Sequence, residues 1–387
     1  MKILAVVSAL DLRLAVGATS AWWQLFKGLY EVGAEVVATP YAGEPVESPW
    51  WRAYPNPCRH EARAFVALAA AQARLRRARP GARASALVRA LVRGWVLPRW
   101  QRHLTRVLEA ERDVDAVLVV NVPANHFTGL PALLRRRFSV PVFYLDGDMP
   151  MSLPAFGGYA SGVRGYDLAD LSEYDAVITN SRAAGAEMLR MGARQAHTLH
   201  FAADADLFFP AAVAEDVDVF FYGFGAEQRE GAIRHMVAQP SRDLPARFVV
   251  GGARLVADLG RAERIGPVPT SRLRHWAGRS RLNLNIVRRP HATFAASSCM
   301  RLFELAAMAC CVVSNPTAGI EEWLEPDREV VVAPEDEPAA GLYRALLADP
   351  GRRRAIGEAA RRRVLEEHTY RHRARTLVSY LGGPARS

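Results

Sequence analysis

The chain has 387 residues, of which half are hydrophobic and 23% are charged, as in a folded globular protein of about two domains. Its four cysteines form no C-x-x-C pair and have no histidine cluster near them, so neither a disulfide framework nor a zinc site is expected. The formal net charge is +10, and no segment approaches the ~18 consecutive apolar residues of a membrane span, so we expect a cytoplasmic protein without an export signal.

Strands and helices alternate through the first half of the chain, which predicts a parallel sheet flanked by helices. A continuous apolar run at 2–10 predicts a strand that is buried on both faces, and a helix at 22–32 and a strand at 35–39 follow it. Further strands are predicted at 115–122, 142–146, 176–179 and 197–201. The stretch at 42–58 is rich in Pro and Trp and is predicted to be a loop.

The positive charge of the chain is concentrated in one segment of this half. Residues 59–112 contain 13 arginines and three acidic residues, so their local excess equals the net charge of the whole chain. Helices broken near Pro80 and Pro98 are expected there. The basic helical insert indicates either peripheral contact with an anionic membrane or polymer, or a solvated face in a chain whose usual cation is Arg. No nucleic-acid-binding motif accompanies it, so nucleic acid is not expected as a partner.

The alternation restarts after a turn-rich stretch at 202–215, which we predict to be a linker between two domains. Strands are predicted beyond it at 217–222, 247–250, 282–287, 311–314 and 330–333. A last helical tract ends near Tyr380. The predicted division is therefore an N-terminal domain at 1–205, a C-terminal domain at 215–368 and a terminal helix at 369–387.

In open α/β sheets, ligands bind at the carboxyl ends of strands. Two loops, each of which follows the first strand of a predicted domain, contain residues that could bind an anion. In the first loop, Gly17 permits close backbone approach next to a helix start. The second loop, YGFGAEQRE, has Gly225 for a tight turn and Arg229 about one helical turn later, where a guanidinium could hold a pyrophosphate. The alternatives are a plain strand-to-helix loop and an exposed arginine.

The tract SSCMRLFELAAMACCVVSNPTAGIEEW at 297–323 is the most specific pattern in the chain. Ser297 or Ser298 is expected to cap a helix whose N-terminus could face the same diphosphate. Arg301 and Glu304 are three residues apart and share one face of that helix. The carboxylate of Glu304 could accept two hydrogen bonds from the vicinal hydroxyls of a ribose, or it could simply pair with Arg301.

This tract resembles the donor-binding signature of group 1 glycosyltransferases. It is most similar to the CgeB-like branch of spore-maturation proteins, whose members have the pattern (S/T)-x-R-x-F-E-A-x-A…G-(I/L)-E-E-x-(F/W)-E-P-x-(R/K)-E-V. The matching residues are Arg301, Phe303, Glu304, Gly319, Glu321, Glu322, Glu325, Pro326, Glu329 and Val330. The resemblance covers residues 197–370 well and the first half mainly in layout. It implies the GT-B fold, in which two Rossmann-like, doubly wound parallel-sheet domains face a cleft and a C-terminal helix crosses back to the first domain.

The resemblance also implies the activity and the donor site. The activity would be a hexosyltransferase-type transfer from a nucleotide-diphosphate sugar to an acceptor hydroxyl, without a metal or other cofactor. Glu304 would bind the ribose, Arg229 and Arg301 with the backbone of 297–299 would hold the pyrophosphate, and the loop around Val268 would line the base. Group 1 enzymes often have a second glutamate eight residues earlier that contacts the transferred sugar, but Ala296 occupies that position here, so a retaining mechanism is not implied.

Candidate catalytic residues follow strands of the first half. The loop NVPANHFTG contains His126, and the loop YLDGDMP contains Asp146 and Asp148, at strand ends where group 1 enzymes often have polar pocket residues. One of these groups, or Asp11, could accept the proton of the acceptor hydroxyl. Alternatively, Asp146 and Asp148 belong to a turn and His126 is an ordinary loop residue. The Asp-x-Asp metal motif is typical of the other major glycosyltransferase fold.

Trp22 and Trp23 are candidates for an aromatic wall that contacts the acceptor, although adjacent helical residues point to different sides, so at least one is expected in the core. Two alternatives keep the fold but change the function. One is a nucleotide-sugar epimerase of the GT-B type, and the other is an inactive pseudo-glycosyltransferase that acts as a scaffold.

Overall fold

The computed structural model describes residues 1–14, 19–58, 86–156, 164–225 and 228–382. The chain forms two compact units: unit 1 comprises Met1–His200 and Tyr370–Ser387, and unit 2 comprises Phe201–Thr369. The chain thus changes unit just ahead of the stretch that we predicted to be the linker. Gly17 and the first part of the basic insert, residues 59–85, lie outside the described residues.

Unit 1 contains a sheet of seven parallel strands in the order β3-β2-β1-β4-β5-β6-β7. The strands are β1 Lys2–Ala9, β2 Glu35–Ala42, β3 Arg52–Ala53, β4 Ala116–Val120, β5 Val142–Asp146, β6 Ala176–Thr179 and β7 Ala196–Thr198. Every residue of β4 and β5 is buried, as in a parallel sheet that is covered on both faces. The strand order reverses between β1 and β4, so the loops after these strands lie at the topological switch point.

The helices described between the strands of unit 1 cover this sheet. They are α1 Thr19–Glu31, α2 Ala86–Leu91, α3 Leu97–Glu111, α4 Leu130–Phe138 and α5 Ala184–Arg190. The prediction that Pro98 breaks a helix is wrong, because a π-helical turn, Val92–Val96, joins α2 directly to α3. Pro98 directly follows this π-helical turn, in the first turn of α3.

Unit 2 contains a sheet of six parallel strands in the order β10-β9-β8-β11-β12-β13. The strands are β8 Val217–Phe224, β9 Phe248–Ala253, β10 Glu263–Gly266, β11 Ser280–Asn285, β12 Val312–Ser314 and β13 Val331–Val332. The described helices are α6 Glu230–Ile233, α7 Gln239–Asp243, α8 Thr270–Gly278, α9 Arg289–Thr293, α10 Met300–Ala307, α11 Ala340–Ala348 and α12 Pro350–Glu367. A π-helical turn, Arg234–Ala238, joins α6 to α7. The order of this sheet reverses between β8 and β11.

The last helix, α13 Tyr370–Tyr380, returns to unit 1, as the fold prediction required. It packs closely on α1, because a Cβ on Gly28 would stand 2.5 Å from the Tyr370 carbonyl oxygen. The Tyr380 ring stacks on His197, with centroids 4.4 Å apart, and its hydroxyl donates to the Thr198 carbonyl oxygen.

Two short edge strands were not predicted from the sequence. The first, β3, lies in the stretch that we predicted to be a loop, and it pairs with β2. The second, β10, has the sequence Glu-Arg-Ile-Gly and no fully buried residue. Edge strands of this kind have no apolar run, so the pattern that identifies the central strands does not identify them. Among the described residues, no helix is long and apolar enough to cross a bilayer.

Candidate functional site

Arg229 lies at the switch point of unit 2, between the ends of β8 and β11. Its side chain is 9% exposed and lies just before α6, in the loop that follows β8. Arg229 Nε donates to the Ile286 carbonyl oxygen at 3.1 Å, and Nη1 donates to the carbonyl oxygens of Phe224 and Gly225 at 2.8 and 3.1 Å. This guanidinium therefore ties the end of β8 to the end of β11, where ligands bind in doubly wound sheets.

Arg301 reaches the same carbonyl group from the first turn of α10. Its Nη1 donates to the Ile286 oxygen at 3.1 Å, and its guanidinium lies 5.3 and 5.0 Å from the ring centroids of Phe221 and Tyr222. The side chain is 8% exposed, and its Nε is buried without a hydrogen-bond partner in the described part of the chain. Two guanidinium groups thus converge at one point, and an anion bound there would accept charge-assisted hydrogen bonds.

Two glycines make this convergence possible. A Cβ on Gly223 would stand 2.9 Å from the Phe221 ring and 3.4 Å from Arg301 Nη2. A Cβ on Gly252 would overlap the Gly223 carbonyl oxygen, and Gly252 has a φ of +152°. Side chains at these positions would separate the ends of β8 and β9 and displace the Arg301 guanidinium.

Glu304 lies one turn after Arg301 on α10 and is 4% exposed. The Tyr222 hydroxyl donates to Glu304 Oε2 at 3.0 Å. Burial and the neighbouring carboxylate raise the pKa of Tyr222 well above its ordinary value, so the hydroxyl stays protonated and remains a donor. A carboxylate has about four acceptor sites, and Tyr222 uses one of them. The geometry is compatible with acceptance of further hydrogen bonds from a diol.

The prediction that Ser297 or Ser298 caps α10 is wrong. The N-cap is Cys299, and its side chain forms no capping hydrogen bond. Ser297 Oγ instead donates to the Phe294 carbonyl oxygen at 2.7 Å, and Ser298 Oγ accepts from the Phe201 backbone N–H at 2.9 Å. Both side chains therefore hold the loop before the helix.

Ala296 is enclosed at the position where group 1 enzymes often have a glutamate. It is fully buried, has a φ of +51° and donates from its N–H to the Ala318 carbonyl oxygen at 2.8 Å. Gly319 packs so closely against it that a Cβ there would stand 2.8 Å from the Ala296 nitrogen. This position therefore offers no side chain that could reach a bound sugar.

His291 on α9 is a polar residue of this region that the sequence analysis missed. Burial, with the nearby charges of Arg288 and Arg229, lowers its pKa to about 3, and its Nδ1 is buried without a hydrogen-bond partner among the described residues. A neutral imidazole thus lies near Arg229 and Arg288. Its place in the segment RRPHATF, just after β11, was the signal that could have identified it.

A cavity of about 650 Å³ lies at the ends of β9 and β10. It is lined by residues that include Gly252, Leu255, Leu259, Arg264 and Gly266. The segment with Val268, predicted to line the base, follows directly after Gly266. A Cβ on Gly251 would overlap the Val268 side chain, so that loop packs tightly on the end of β9.

His126 follows β4 at the switch point of unit 1. It is 6% exposed, and its Nδ1 lies 2.6 Å from the Tyr41 hydroxyl. Burial lowers the pKa of His126 to about 4, so the imidazole is neutral at pH 7. A neutral imidazole can accept a proton, which keeps His126 among the candidate bases.

Asp146 is the last residue of β5, and Asp148 lies in the bend that follows it. Asp146 is fully buried, and it accepts hydrogen bonds from the Tyr166 hydroxyl at 2.6 Å and from the Asp148 N–H at 2.8 Å. Two asparagines, Asn121 and Asn180, hold the backbone of the same loop through their side-chain oxygens. Within the described ranges, no group of three or more His, Cys, Asp and Glu side chains could hold a metal ion.

The carboxylate of Asp11, which follows β1, forms an ion pair with Arg13. It accepts from Arg13 Nε at 2.8 Å and from Nη2 at 2.7 Å, and these hydrogen bonds lower the pKa of Asp11. The pairing weakens it as a base.

Of the two tryptophans, Trp22 is 2% exposed and lies in the core, whereas Trp23 packs edge-on against Trp51 and donates to a backbone carbonyl.

Comparisons with known proteins give one match in sequence. Residues 229–379 match the family described as glycosyl transferase-like, which covers the arginines of the switch point and all of α10. A comparison with curated protein sequences gave no match.

Similar solved structures cover both units. Sucrose-phosphate synthase from Thermosynechococcus elongatus has a TM-score of 0.67 at 15% identity over 98% of each chain. HepE from Anabaena, in complex with UDP and glucose, has a TM-score of 0.62 at 13% identity over 99% of each chain. A glycosyltransferase from Rickettsia africae has a TM-score of 0.61 at 11% identity, over 98% of this chain and 97% of the other. The fold is therefore that of GT-B glycosyltransferases, and residues 229–379 are similar to a glycosyltransferase family in sequence.

Proposed function

We propose that this chain transfers a hexosyl group from a nucleoside diphosphate sugar to an acceptor hydroxyl, and that it does so without a metal ion. The observation that carries the proposal is the convergence of Arg229 and Arg301 on the Ile286 carbonyl group at the switch point of unit 2. The similar HepE structure contains UDP and glucose, which supports a nucleotide sugar as the ligand here. The narrower resemblance to the CgeB-like branch stays a prediction.

Unit 2 has separate groups for the diphosphate, the ribose and the base of such a donor. The guanidinium groups of Arg229 and Arg301, with the first-turn N–H groups of α10, would hold the diphosphate. Glu304 would accept from the ribose hydroxyls, and the cavity at Gly252 and Gly266 would take the base. As the bond to the sugar breaks, negative charge develops on the diphosphate. Fixed cations at that point stabilise it, which is the work that a metal ion does elsewhere.

The group that accepts the proton of the acceptor hydroxyl belongs to unit 1 in this proposal. His126 is the leading candidate on geometry, because its Nδ1 is held by the Tyr41 hydroxyl. The pKa of about 4 keeps its imidazole neutral at pH 7 but makes it a weaker base than an ordinary histidine. Asp146 and Asp11 are less suitable, since their carboxylates are engaged by Tyr166 and Arg13.

The first experiment is a thermal-shift panel of UDP, GDP, dTDP, ADP, CMP and UMP, each with and without EDTA. A ligand at about 100 times its Kd stabilises the folded state by about 2.7 kcal/mol, which raises Tm by several degrees. We expect one nucleoside diphosphate to raise Tm equally in EDTA, and, if it is UDP, UMP to have a weaker effect. If none of the nucleotides shifts Tm, the donor site is wrong. A shift that disappears in EDTA would remove the metal-independent part of the proposal.

Turnover distinguishes the transferase from its alternatives. The matching nucleotide sugar is incubated with the protein, with and without an acceptor panel, and the products are followed by NMR. Release of nucleoside diphosphate that depends on an acceptor supports the proposal. Conversion of the sugar without release indicates an epimerase, and tight donor binding without either change indicates a scaffold.

A further inference from the structure

The described part of the basic insert is one nearly continuous helix, α2 to α3, that has no acidic residue between positions 86 and 108. Its basic side chains include five arginines: Arg89, Arg93, Arg99, Arg102 and Arg106. Such a run of one charge on a folded helix requires either solvent or an anionic partner opposite it.

The helix has two different sides. Trp100, Leu104 and Val107 are buried, and the Tyr41 ring stacks on Trp100 with centroids 5.6 Å apart. Trp95, Arg99, Arg102 and Arg106 are spaced by four, three and four residues, so they share one face, and three of the four are exposed. We call Trp95, Arg99, Arg102 and Arg106 the arginine face.

Two arginines of the arginine face have no carboxylate opposite them among the described residues. In that part of the chain, no ion pair involves Arg102 or Arg106. Glu109 lies just beyond the face, and it pairs with Arg137 at 2.6 Å.

A second arginine-rich helix shows that composition alone does not produce this arrangement. Helix α12 is rich in arginine too: it has six arginines, together with three glutamates. On α12, Arg363 pairs with Glu367 and Glu329, and Arg353 is buried and donates to backbone carbonyls. The arginines of α12 are thus partly internal, whereas Arg102 and Arg106 of the arginine face are exposed.

Trp95 identifies the kind of partner. Its ring is 46% exposed within the arginine face, and the Arg99 guanidinium lies 5.0 Å from its centroid. An exposed indole among cations is typical of helices that lie in the headgroup region of a bilayer, where the ring and the arginine stems contact acyl chains. The exposed indole therefore favours a partner that offers apolar groups next to its anionic groups.

We propose that the arginine face docks on the surface of an anionic lipid bilayer, with α2 and α3 parallel to the membrane plane. The guanidinium groups bind lipid phosphates, and the Trp95 ring inserts at headgroup depth. This inference does not depend on the transferase activity, because it uses no residue of the proposed donor or catalytic sites.

The test is flotation of the whole protein with vesicles of phosphatidylcholine alone or mixed with phosphatidylglycerol. We expect binding to the anionic vesicles only, and release at high salt, since screening weakens exposed charges. Each basic residue near such a surface contributes about fivefold in affinity, so Arg102→Glu with Arg106→Glu should weaken binding at least about thirtyfold. The matched control is Arg354→Glu with Arg362→Glu, which makes the same charge change at exposed positions of α12 and should bind within threefold of the wild type.

A second measurement tests the depth of Trp95. Vesicles that contain brominated lipids should quench part of the tryptophan fluorescence of the wild type, and Trp95→Phe should remove that part. Absence of flotation at low salt would overturn the proposal, and so would equal losses in the two double variants, which would indicate attraction to the whole chain. Preferential binding of dextran sulfate, with no quenching by brominated lipid, would show that the partner is a soluble polyanion instead.

Discussion

Glu304→Gln is the sharpest perturbation of the proposed donor site, because it removes one charge and leaves the shape almost unchanged. The carboxylate is 4% exposed and already accepts from the Tyr222 hydroxyl. A glutamine oxygen can still accept from Tyr222, so the fold should tolerate the change. The hydrogen bonds from a ribose would lose their charged acceptor.

The size of the effect follows from the nature of these bonds. A hydrogen bond to a charged group contributes about 1.5–3 kcal/mol, against about 0.5–1.5 kcal/mol for a neutral one. Weakening two such bonds at a buried site should cost about 2 kcal/mol, which corresponds to about a thirtyfold loss of affinity. Tyr222→Phe is the matched control, because it removes the hydroxyl and leaves the carboxylate; we expect a change of less than about threefold.

The assay is calorimetry with the nucleoside diphosphate that gives the largest thermal shift, and with analogues that lack the 2′- or the 3′-hydroxyl. The wild type should discriminate against a deoxy analogue, and Glu304→Gln should not, because the residue and the hydroxyl form one interaction. The ligand-free Tm of each variant checks the fold. If Glu304→Gln binds normally, or if it still discriminates against both deoxy analogues, Glu304 does not bind the ribose.

Three further outcomes follow from the packing and the titrating groups. Gly252→Ala should destabilise unit 2 by about 3 kcal/mol in urea unfolding, because the added Cβ would overlap a carbonyl oxygen of β8. The control is Gly231→Ala, whose added Cβ would meet no neighbouring atom within 4 Å and which should be neutral or stabilising. Equal effects of the two substitutions would contradict the steric argument. Burial opposes ionisation of Glu111, but hydrogen bonds from neighbours such as Arg52 outweigh it and lower its pKa to about 2. Glu111→Gln should therefore cost about 2 kcal/mol at pH 7, and the difference from wild type should fade as the pH drops from about 4.5 towards 2; a difference that is independent of pH would refute this. The imidazole of His126 should titrate near pH 4 by NMR, and a midpoint near 6.5 would show that burial does not suppress its charge.

The central strands could be predicted because a strand that is buried on both faces must be apolar along its whole length. The predicted strands at 142–146 and 176–179 coincide with β5 and β6, and the fold prediction is confirmed. The edge strands β3 and β10 could not be predicted in this way, because a strand at the edge of a sheet is partly exposed and need not be apolar along its length. The serine cap failed for a related reason: Ser297 and Ser298 have the right chemistry, but loop packing directs their side chains to other backbone groups.

The donor-site candidates were found from residue type and local spacing, and the structure adds their partners. The Ile286 carbonyl group that joins Arg229 to Arg301 is 57 residues from the first of them. The Tyr222 hydroxyl is 82 residues from Glu304. No local pattern contains such pairs, since they exist only because β8 and β11 are neighbours in the sheet.

By itself, the sequence determined the succession of apolar runs, and with it the two parallel sheets and the types of residue at their strand ends. These properties depend on neighbours a few positions apart, so they can be seen in the chain. The tertiary structure decided which of those polar groups share a partner, which are buried and which arginines remain exposed. Those properties depend on strand order and on packing between distant segments, which no local stretch of sequence contains.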